Sequence, residues 1–423
     1  MNVEESTHLV VRLLPRTSRR RLGMIAASLC PALGMWDGAA YIADARKKKK
    51  KKKNGNKKKP PVPPTGCTPA CTGMRTCVNG VCTLGCGPEM ADCPREDFCV
   101  DLATDALNCG ACGRSCSGGD VCLDGVCGCL PPSVDLSTVL QRARPGATVR
   151  LCAGTWDLPG TLELPSVLHA LVGAGKGDGG STLRGKAMRR AVVSLNGSII
   201  TLKNLRITHS TSDDRETVYN EGTLTLDNVA IEDTGWVAVY NRRQLYMDQC
   251  EILRSARTGL YSSGVASAQI SRSRISGNAQ GIENYGDLTL QDSEVSENHV
   301  PIDRVLSGGG IYNNSGDVTL TGVTVIRRNS ADWGAGISNG SGTISIGASC
   351  EITGNTAHGN GGGISNYEGT ITLATGAKIT GNTAQSGGGI INRNGSITGD
   401  TSGVTGNTPD DFCEFDDATW SCL

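Results

Sequence analysis

The sequence is poor in large apolar side chains. It holds only 3 Phe and 5 Trp in 423 residues, and aromatic residues make up 4% of the chain. So few rings argue against a large conventional core and against a sugar-binding platform of stacked aromatic side chains. The chain also lacks an apolar run near the roughly 20 residues that a membrane-spanning helix needs. Glycine and cysteine are abundant instead, with 57 and 19 residues.

The net charge of zero hides an uneven distribution. Residues 46–59 carry eleven positive charges, whereas from Pro60 onward 25 basic residues stand against 37 acidic ones. Like charges repel and prolines favour an extended chain, so residues 46–66 are expected to form a disordered linker. The plain interpretation is a solvated spacer. The sharper one is a tether in which Lys47–Lys59 bind anionic cell-envelope polymers; nucleic acid is not expected, because no aromatic residue interleaves the lysines.

Residues 1–45 are expected to be an export signal. Residues 18–23, SRRRLG, resemble a twin-arginine motif, and a short apolar region and the small-x-small site Ala43-Asp44-Ala45 come after it. Lipid attachment at Cys30 is disfavoured, since Leu29 stands where that motif requires a small residue. We therefore expect a secreted or cell-surface protein without a transmembrane segment.

Residues 67–129 form a cysteine-rich module. The spacing C-x3-C-x5-C-x4-C occurs twice, 45 residues apart, and both copies end in a similar phrase, CVNGVC and CLDGVC. Asn79-Gly80 and Asp124-Gly125 are typical hairpin-turn dipeptides. With so few apolar residues to bury, the module needs disulfides. The cysteines expected to form structural disulfides, here and later in the chain, are Cys67, Cys71, Cys77, Cys82, Cys86, Cys93, Cys99, Cys109, Cys112, Cys116, Cys122, Cys127, Cys129, Cys152, Cys413 and Cys422.

Two pairings are suggested by position. A Cys129–Cys152 bridge would join the module to the next domain of the chain, and Cys413 with Cys422 would close the tail, residues 413–423. The motif Cys109-x-x-Cys112 could also suggest zinc or redox chemistry, but disulfides are favoured in an exported, cysteine-dense segment. The run TDALNCGACGRSC at 104–116 resembles a cysteine module of stigma-specific-like plant proteins and secreted bacterial proteins, and this resemblance implies no catalysis.

Residues 130–412 contain a repeat that predicts an all-β fold. After a short amphipathic helix at 133–143, with Ser133 or Asp135 as N-cap, apolar residues recur as apolar-x-apolar-x-x-apolar-x-apolar. The last apolar position recurs at 207, 231, 252, 275, 295, 325, 352, 379 and 404. These intervals are too short for a crossover helix, so the pattern predicts a single-stranded parallel β-helix with stacked inward residues.

The phrase G-x-G-I-x-N, repeated at 308–313, 334–339, 361–366 and 387–392, marks a bend in each coil. Its Asn and a second one, three residues after the last apolar position, predict two asparagine ladders, since Asn tolerates left-handed backbone angles. The first is expected at Asn220, Asn241, Asn284, Asn313, Asn339, Asn366 and Asn392. The second is expected at Asn278, Asn298, Asn355, Asn382 and Asn407. Cys250 and Cys350 fall at inward positions four coils apart and are expected to be free, buried thiols.

The GGGI and [Ile/Val]-x-x-Asn motifs, for example ITGN at 352–355, resemble the repeats of polymorphic outer-membrane proteins and of pectin-lyase-like right-handed β-helices. This resemblance implies the fold. The first group is associated with adhesion and surface display, and the second with cleavage of acidic polysaccharides.

Candidate chemical groups are few. The loop at 209–216, HSTSDDRE, offers Asp213 and Asp214, and alignment of the coils places Asp233 and Arg254 above His209. None fits a lyase or hydrolase motif, so solvated charges and one ion pair between coils are the favoured interpretation. Asp410-Asp411 is expected to close the end of the fold. No metal, cofactor or nucleotide site is expected.

The leading functional hypothesis is an exported, non-catalytic surface protein that binds a matrix or glycan ligand along the β-helix. The alternatives are a polysaccharide lyase or glycoside hydrolase acting on acidic glycans and, third, a purely structural envelope protein. An enzyme should bring three or more charged groups from adjacent coils into a cleft, with at least one displaced pKa.

Overall fold

The computed structural model describes residues 75–416 and 421–422, apart from 79–80, 88–89, 94–95, 97, 119, 187–189, 211–214 and 302–306. The expected export signal and the lysine-rich linker lie outside the described residues. Within the described part, no helix is long and apolar enough to cross a membrane.

The one helix of the described chain, Leu136–Gln141, is shorter than the predicted segment. Asp135 is its N-cap, and the carboxylate accepts hydrogen bonds from the backbone N–H groups of Ser137 and Thr138. Leu136 and Leu140 are buried in the same apolar core as the first coils. The helix therefore covers the amino-terminal end of that core, where a solenoid would otherwise expose apolar side chains.

The cysteine-rich region contains three short antiparallel strand pairs. They are Thr76–Val78 with Val81–Thr83, Ala91–Asp92 with Cys99–Val100, and Val121–Leu123 with Val126–Gly128. In the turn of the last pair, Asp124 has φ 49° and Gly125 has φ 77°, as a two-residue hairpin turn requires. The hairpin predicted at Asp124-Gly125 is confirmed.

The rest of the chain winds into a right-handed parallel β-helix, as the repeat predicts. Each coil contributes strands to three faces. The first and second faces meet at a bend and form one sheet, whose strands in chain order are Ala147–Arg150, Gly154–Leu158, Leu168–Val172, Ser181–Gly185, Ile199–His209, Thr223–Thr234, Gln244–Asp248, Glu251–Ser255, Ser267–Ser271, Arg274–Ser276, Asp287–Gln291, Glu294–Ser296, Asp317–Thr321, Val325–Arg327, Thr343–Ile346, Glu351–Thr353, Thr370–Leu373, Lys378–Thr380, Ser396–Gly399 and Val404–Thr405.

The third face is a separate sheet of short strands. Its strands are Leu162–Leu164, Val192–Ser194, Val218–Asn220, Val239–Asn241, Thr258–Ser262, Gln280–Asn284, Ile311–Asn313, Ile337–Asn339, Ile364–Asn366, Ile390–Asn392, Phe412–Asp416 and Ser421–Cys422. The last strand pairs antiparallel with the one before it, whereas the others are parallel. A further parallel pair, Ser330–Ala331 with Thr356–Ala357, lies in the loops before the third face.

Inward side chains form continuous columns. Strand register aligns Ile207 with Ile231, Ile231 with Ile252, and Ile252 with Ile275. Each of these four side chains is at most 1% exposed. Burial of an Ile side chain contributes roughly 1.5–3 kcal/mol, so a column repeated over many coils holds the solenoid together despite the scarcity of rings.

The predicted register is wrong in one coil. Val323 and Val325, expected to point inward, point outward, and Val323 is 65% exposed. Thr324 and Ile326 are the buried residues instead. Gly322, with φ 61°, adds a residue to the bend, so three residues rather than two separate the inward positions on its two sides.

The first asparagine ladder lies where the third face turns into the first. From Asn284 to Asn392, each side-chain amide donates from Nδ2 to Oδ1 of the next Asn at 2.8 or 2.9 Å. Asn220 makes the same bond to Asn241, and Ser262 then interrupts the ladder. The prediction of this ladder is confirmed.

The second ladder lies where the second face turns into the third, and it has one more member than predicted. Its residues are Asn278, Asn298, Asn329, Asn355, Asn382 and Asn407, joined by Nδ2 to Oδ1 bonds of 2.9–3.0 Å. Asn329 was missed because the register of its coil was misjudged. The positive φ at this bend belongs to the residue just before each asparagine, such as Arg328 or Gly354.

Asp411 closes the second ladder. Its Oδ1 accepts from both the backbone N–H and Nδ2 of Asn407 at 2.9 Å, and Asp410 Oδ1 accepts from the backbone N–H of Gly388 at 3.2 Å. The end-closing role expected for Asp410-Asp411 is confirmed.

The cysteine-rich region is held by disulfides. The pairs are Cys86–Cys99, Cys93–Cys112, Cys109–Cys122, Cys116–Cys127 and Cys129–Cys152. Cys77, Cys82 and Cys413 are also disulfide-bonded. Cys67 and Cys71 lie outside the described residues, and the Cys413–Cys422 pairing stays a prediction. The Cys129–Cys152 bridge suggested by the sequence is present and ties the module to the first coil.

Cys250 and Cys350 are free thiols in the core, as predicted. Cys250 is 2% exposed and Cys350 is 0% exposed. Burial raises the pKa of the Cys250 thiol to about 11 and also raises that of Cys350. Both therefore behave as small apolar core residues.

Candidate functional site

The candidate residues proposed from sequence do not form a site. Strand register places Thr234 and Ser255 in the column of His209, not Asp233 and Arg254 as the sequence alignment suggested. Asp233 and Arg254 instead occupy the outward bend positions with φ of 54° and 55°. The alignment failed because the bend adds a residue after the last apolar position.

Asp233 and Arg254 form the ion pair between coils that the sequence suggested. Arg254 Nε donates to Asp233 Oδ1 at 2.6 Å, and Arg254 Nη2 also donates to Glu232 Oε2 at 2.6 Å. The hydrogen bond from Arg254 lowers the pKa of Asp233, so this carboxylate stays ionised and is a poor proton acceptor. Asp213 and Asp214 lie outside the described residues.

Sulfur ligands for a metal are not available in the best cysteine cluster. The sulfur atoms of Cys109, Cys116 and Cys127 lie within 4.8 Å of one another. All three belong to disulfides, with Cys122, Cys127 and Cys116 as their respective partners. A disulfide sulfur is not a thiolate, so this cluster is structural.

Tyrosines concentrate in one outward row on the third face, which we call the tyrosine row. Its members are Tyr219, Tyr240, Tyr261, Tyr285 and Tyr312. Successive ring centroids are 5.4, 4.5, 5.4 and 6.4 Å apart, and the Tyr240 and Tyr261 rings are stacked. The low aromatic content argued against a row of stacked rings, and that expectation is wrong. Five of the eight tyrosines of the chain share one surface.

One carboxylate interrupts the row. In strand register, Glu283 lies between Tyr261 and Tyr312, and Tyr285, two residues later, supplies the ring of that coil. Tyr285 Oη donates to Glu283 Oε1 at 3.0 Å. Burial raises the pKa of Glu283, although the bond from Tyr285 and the charge of Arg257 oppose this effect.

The tyrosines surrounding Glu283 also titrate abnormally. Burial raises the pKa of Tyr261 to about 12, and it also raises the pKa of Tyr285 and of Tyr312. Phenols are protonated near neutral pH even without this shift, and Tyr285 and Tyr312 donate hydrogen bonds to Glu283 and Asn314.

Arginines border the tyrosine row. The Arg190 guanidinium lies 3.7 Å from the centre of the Tyr219 ring. Arg242 Nη1 donates to Tyr219 Oη at 2.9 Å and to Glu221 Oε1 at 3.0 Å. Arg257 lies 4.4 Å from the centre of a Trp236 ring. Tyrosine, tryptophan and arginine together are typical of binding surfaces.

A signal for this row was present in the sequence. Tyr directly precedes the ladder position in Val218–Asn220, Val239–Asn241 and Ile311–Asn313. Because successive coils stack in register, a residue type repeated beside the ladder must form a row on the surface. Tyr285 could not be assigned to it from spacing alone.

The inward columns, the ladders and the stacked coils define a parallel β-helix protein. The family described as right handed beta helix region matches residues 190–408, and the chain belongs to that family. No curated protein matches the chain. Among solved structures, the A-module of the mannuronan C-5 epimerase AlgE4 of Azotobacter vinelandii is similar at 14% identity, over 60% of this chain and 89% of that one, with a TM-score of 0.29. At that level the similarity carries no argument about activity.

Proposed function

We propose that this protein is a non-catalytic binding protein whose β-helix holds an extended glycan of a matrix or cell surface. The tyrosine row is the observation that supports it. Five phenols stand at the coil spacing of about 4.8 Å, so the row spans about 19 Å along the axis. Its hydroxyls, arginines and glutamates provide alternating donors and acceptors for a linear, hydroxyl-rich polymer.

Binding is favoured over the alternative, glycan cleavage. Hydrolysis uses two carboxyl groups about 5–9.5 Å apart. Glu283 is the carboxylate of the row with a raised pKa, and Glu221 is three coils away, or about 14 Å. Glu221 is also paired with Arg242. The row thus meets the expectation of a displaced pKa but offers no second carboxylate within reach among the described residues.

Export is part of the proposal. Disulfides persist in oxidising compartments, and this chain has five whose partners are both described. We propose a secreted or envelope-associated protein on that basis. The tether through Lys47–Lys59 to anionic envelope polymers stays a prediction.

The proposal is tested on a glycan panel with the double variant Tyr240→Ala/Tyr261→Ala. We expect at least about a tenfold loss of affinity, because truncating buried aromatic side chains at an interface costs on the order of 1–2 kcal/mol or more. Tyr246→Ala is the matched control, since Tyr246 lies on the same coil as Tyr240 but points outward from the first face.

The same panel is scored for released products. Unsaturated or newly reducing ends formed by the wild-type protein would favour the enzyme alternative. Glycan binding that survives in the double variant would remove the tyrosine row as the binding surface.

A further inference from the structure

An open cleft lies beside the tyrosine row, at the corner between the third and first faces. Its volume is about 480 Å³, and it is lined by residues of four neighbouring coils. Its lining includes Ile199, Glu221, Arg243, Gln244 and Val265. A volume of this size falls within the roughly 300–1,000 Å³ of typical ligand sites.

The cleft combines a polar lining with two exposed apolar side chains. Val265 is 82% exposed and Ile199 is 70% exposed. They are the two most exposed large apolar side chains of the described residues, and both line this one cleft. Two such side chains on one concave surface mark an interaction site more strongly than single scattered ones do.

The cleft also carries one unneutralised charge. Glu221 is held by Arg242 at 3.0 Å and by the Tyr219 hydroxyl at 3.1 Å, so its charge is already compensated. The Arg243 guanidinium, in contrast, makes no ion pair within the part of the chain that the structure describes. The net charge offered to a ligand is therefore positive, although the chain from Pro60 onward is acidic overall.

We propose that the cleft docks an extended peptide segment of a partner protein, with aliphatic side chains on both sides of an Asp or Glu. Ile199 and Val265 lie three coils, or about 14 Å, apart, so two aliphatic side chains of the segment contact them separately, and the carboxylate between pairs with Arg243. Gln244 adds a side-chain amide for the peptide backbone. A saccharide is the less suitable occupant, because no aromatic ring lines the cleft for a sugar to stack on. The proposal is independent of the ligand of the tyrosine row.

The experiment uses the full chain and fluorescent hexapeptides of three leucine–glutamate, leucine–glutamine or leucine–lysine repeats, measured by anisotropy. We expect the glutamate peptide to bind best, with affinity that falls as salt rises. Arg243→Ala should weaken it about fivefold, as loss of an exposed ion pair does, and Arg243→Lys should recover part of the loss. Val265→Asp should abolish binding.

The control is Val323→Asp, which places the same charge on another exposed valine, 65% exposed and outside the cleft. It should leave peptide binding unchanged. Equal binding of the glutamate and glutamine peptides would overturn the role of Arg243. An acidic oligosaccharide that binds in an Arg243-dependent manner where the peptides do not would overturn the peptide assignment. Matching thermal melts of all variants exclude unfolding as the cause.

Discussion

The side-chain amide of a ladder asparagine is buried but fully hydrogen-bonded. Asn339 is 1% exposed; its Nδ2 donates to Gly342 O at 2.9 Å and to Asn366 Oδ1 at 2.8 Å, and its Oδ1 accepts from Asn313. Every polar atom of the buried amide is thus used. A buried polar group left without its partner costs more than the bond contributes, so the ladder is sensitive at each position.

Asn339→Ala is therefore expected to lower the free energy of unfolding by about 2–4 kcal/mol, because it leaves the Asn366 carbonyl buried without its donor. Denaturant unfolding measures this change. Gln385→Ala removes an exposed amide from a loop of the β-helix and should change stability by less than about 0.5 kcal/mol. Equal effects of the two substitutions would contradict the ladder as a source of stability.

Bends decide which residues of a strand face the core. In the coil that contains Asp317–Thr321 and Val325–Arg327, one added residue at the bend reverses the inward and outward positions that were inferred from spacing. Strand pairing aligns Val295 with Ile326, which restores the column on the second face. The buried column therefore continues through this coil, although the spacing of its inward residues along the sequence differs from that of the other coils.

Substitutions in that coil distinguish the two registers. Ile326→Ala should lower the free energy of unfolding by about 2–4 kcal/mol, whereas Val323→Ala should cost less than about 0.5 kcal/mol. Both are measured by denaturant unfolding. A larger loss of stability from Val323→Ala than from Ile326→Ala would support the register inferred from the sequence.

In the described part of the chain, a continuous apolar core runs from the helix at one end of the solenoid to Val404 at the other. The cysteine-rich region is joined to it by Cys129–Cys152 and by the ion pairs Arg144–Asp105 and Arg150–Asp120, each 2.5 Å long. The module thus caps the solenoid covalently, while a hairpin ending in Ser421–Cys422 comes after the last coil.

The reactivity of the two free thiols tests whether the core is closed to solvent. In the folded protein, Cys250 and Cys350 should resist alkylation at pH 8 and become labelled only on global unfolding, which peptide mapping measures. The pKa of Cys250 is raised to about 11, above the roughly 8.5 of an unfolded thiol. Its contribution to stability is complete below pH 8.5 and is lost as the pH rises towards 11. Rapid labelling of folded protein at pH 8 would contradict this.

Much of the fold can be derived from local periodicity. The inward column of Ile207, Ile231 and Ile252 and the two ladders could be read from spacing, since stacked coils repeat each environment every 20–30 residues. The candidate site could not be derived from spacing. Asp233 and Arg254 were placed one residue out of register by an unrecognised bend.

The succession of apolar residues, bends and asparagines is enough to dictate a solenoid, because each coil can bury its apolar side only against the next one. The surfaces depend on packing between coils. Tyr285 joins the row from two residues beyond its register position, and Val265 and Ile199 line one cleft from coils that are three steps apart. Such arrangements of side chains from different coils depend on the length and direction of each turn, which a pattern of residue types does not encode.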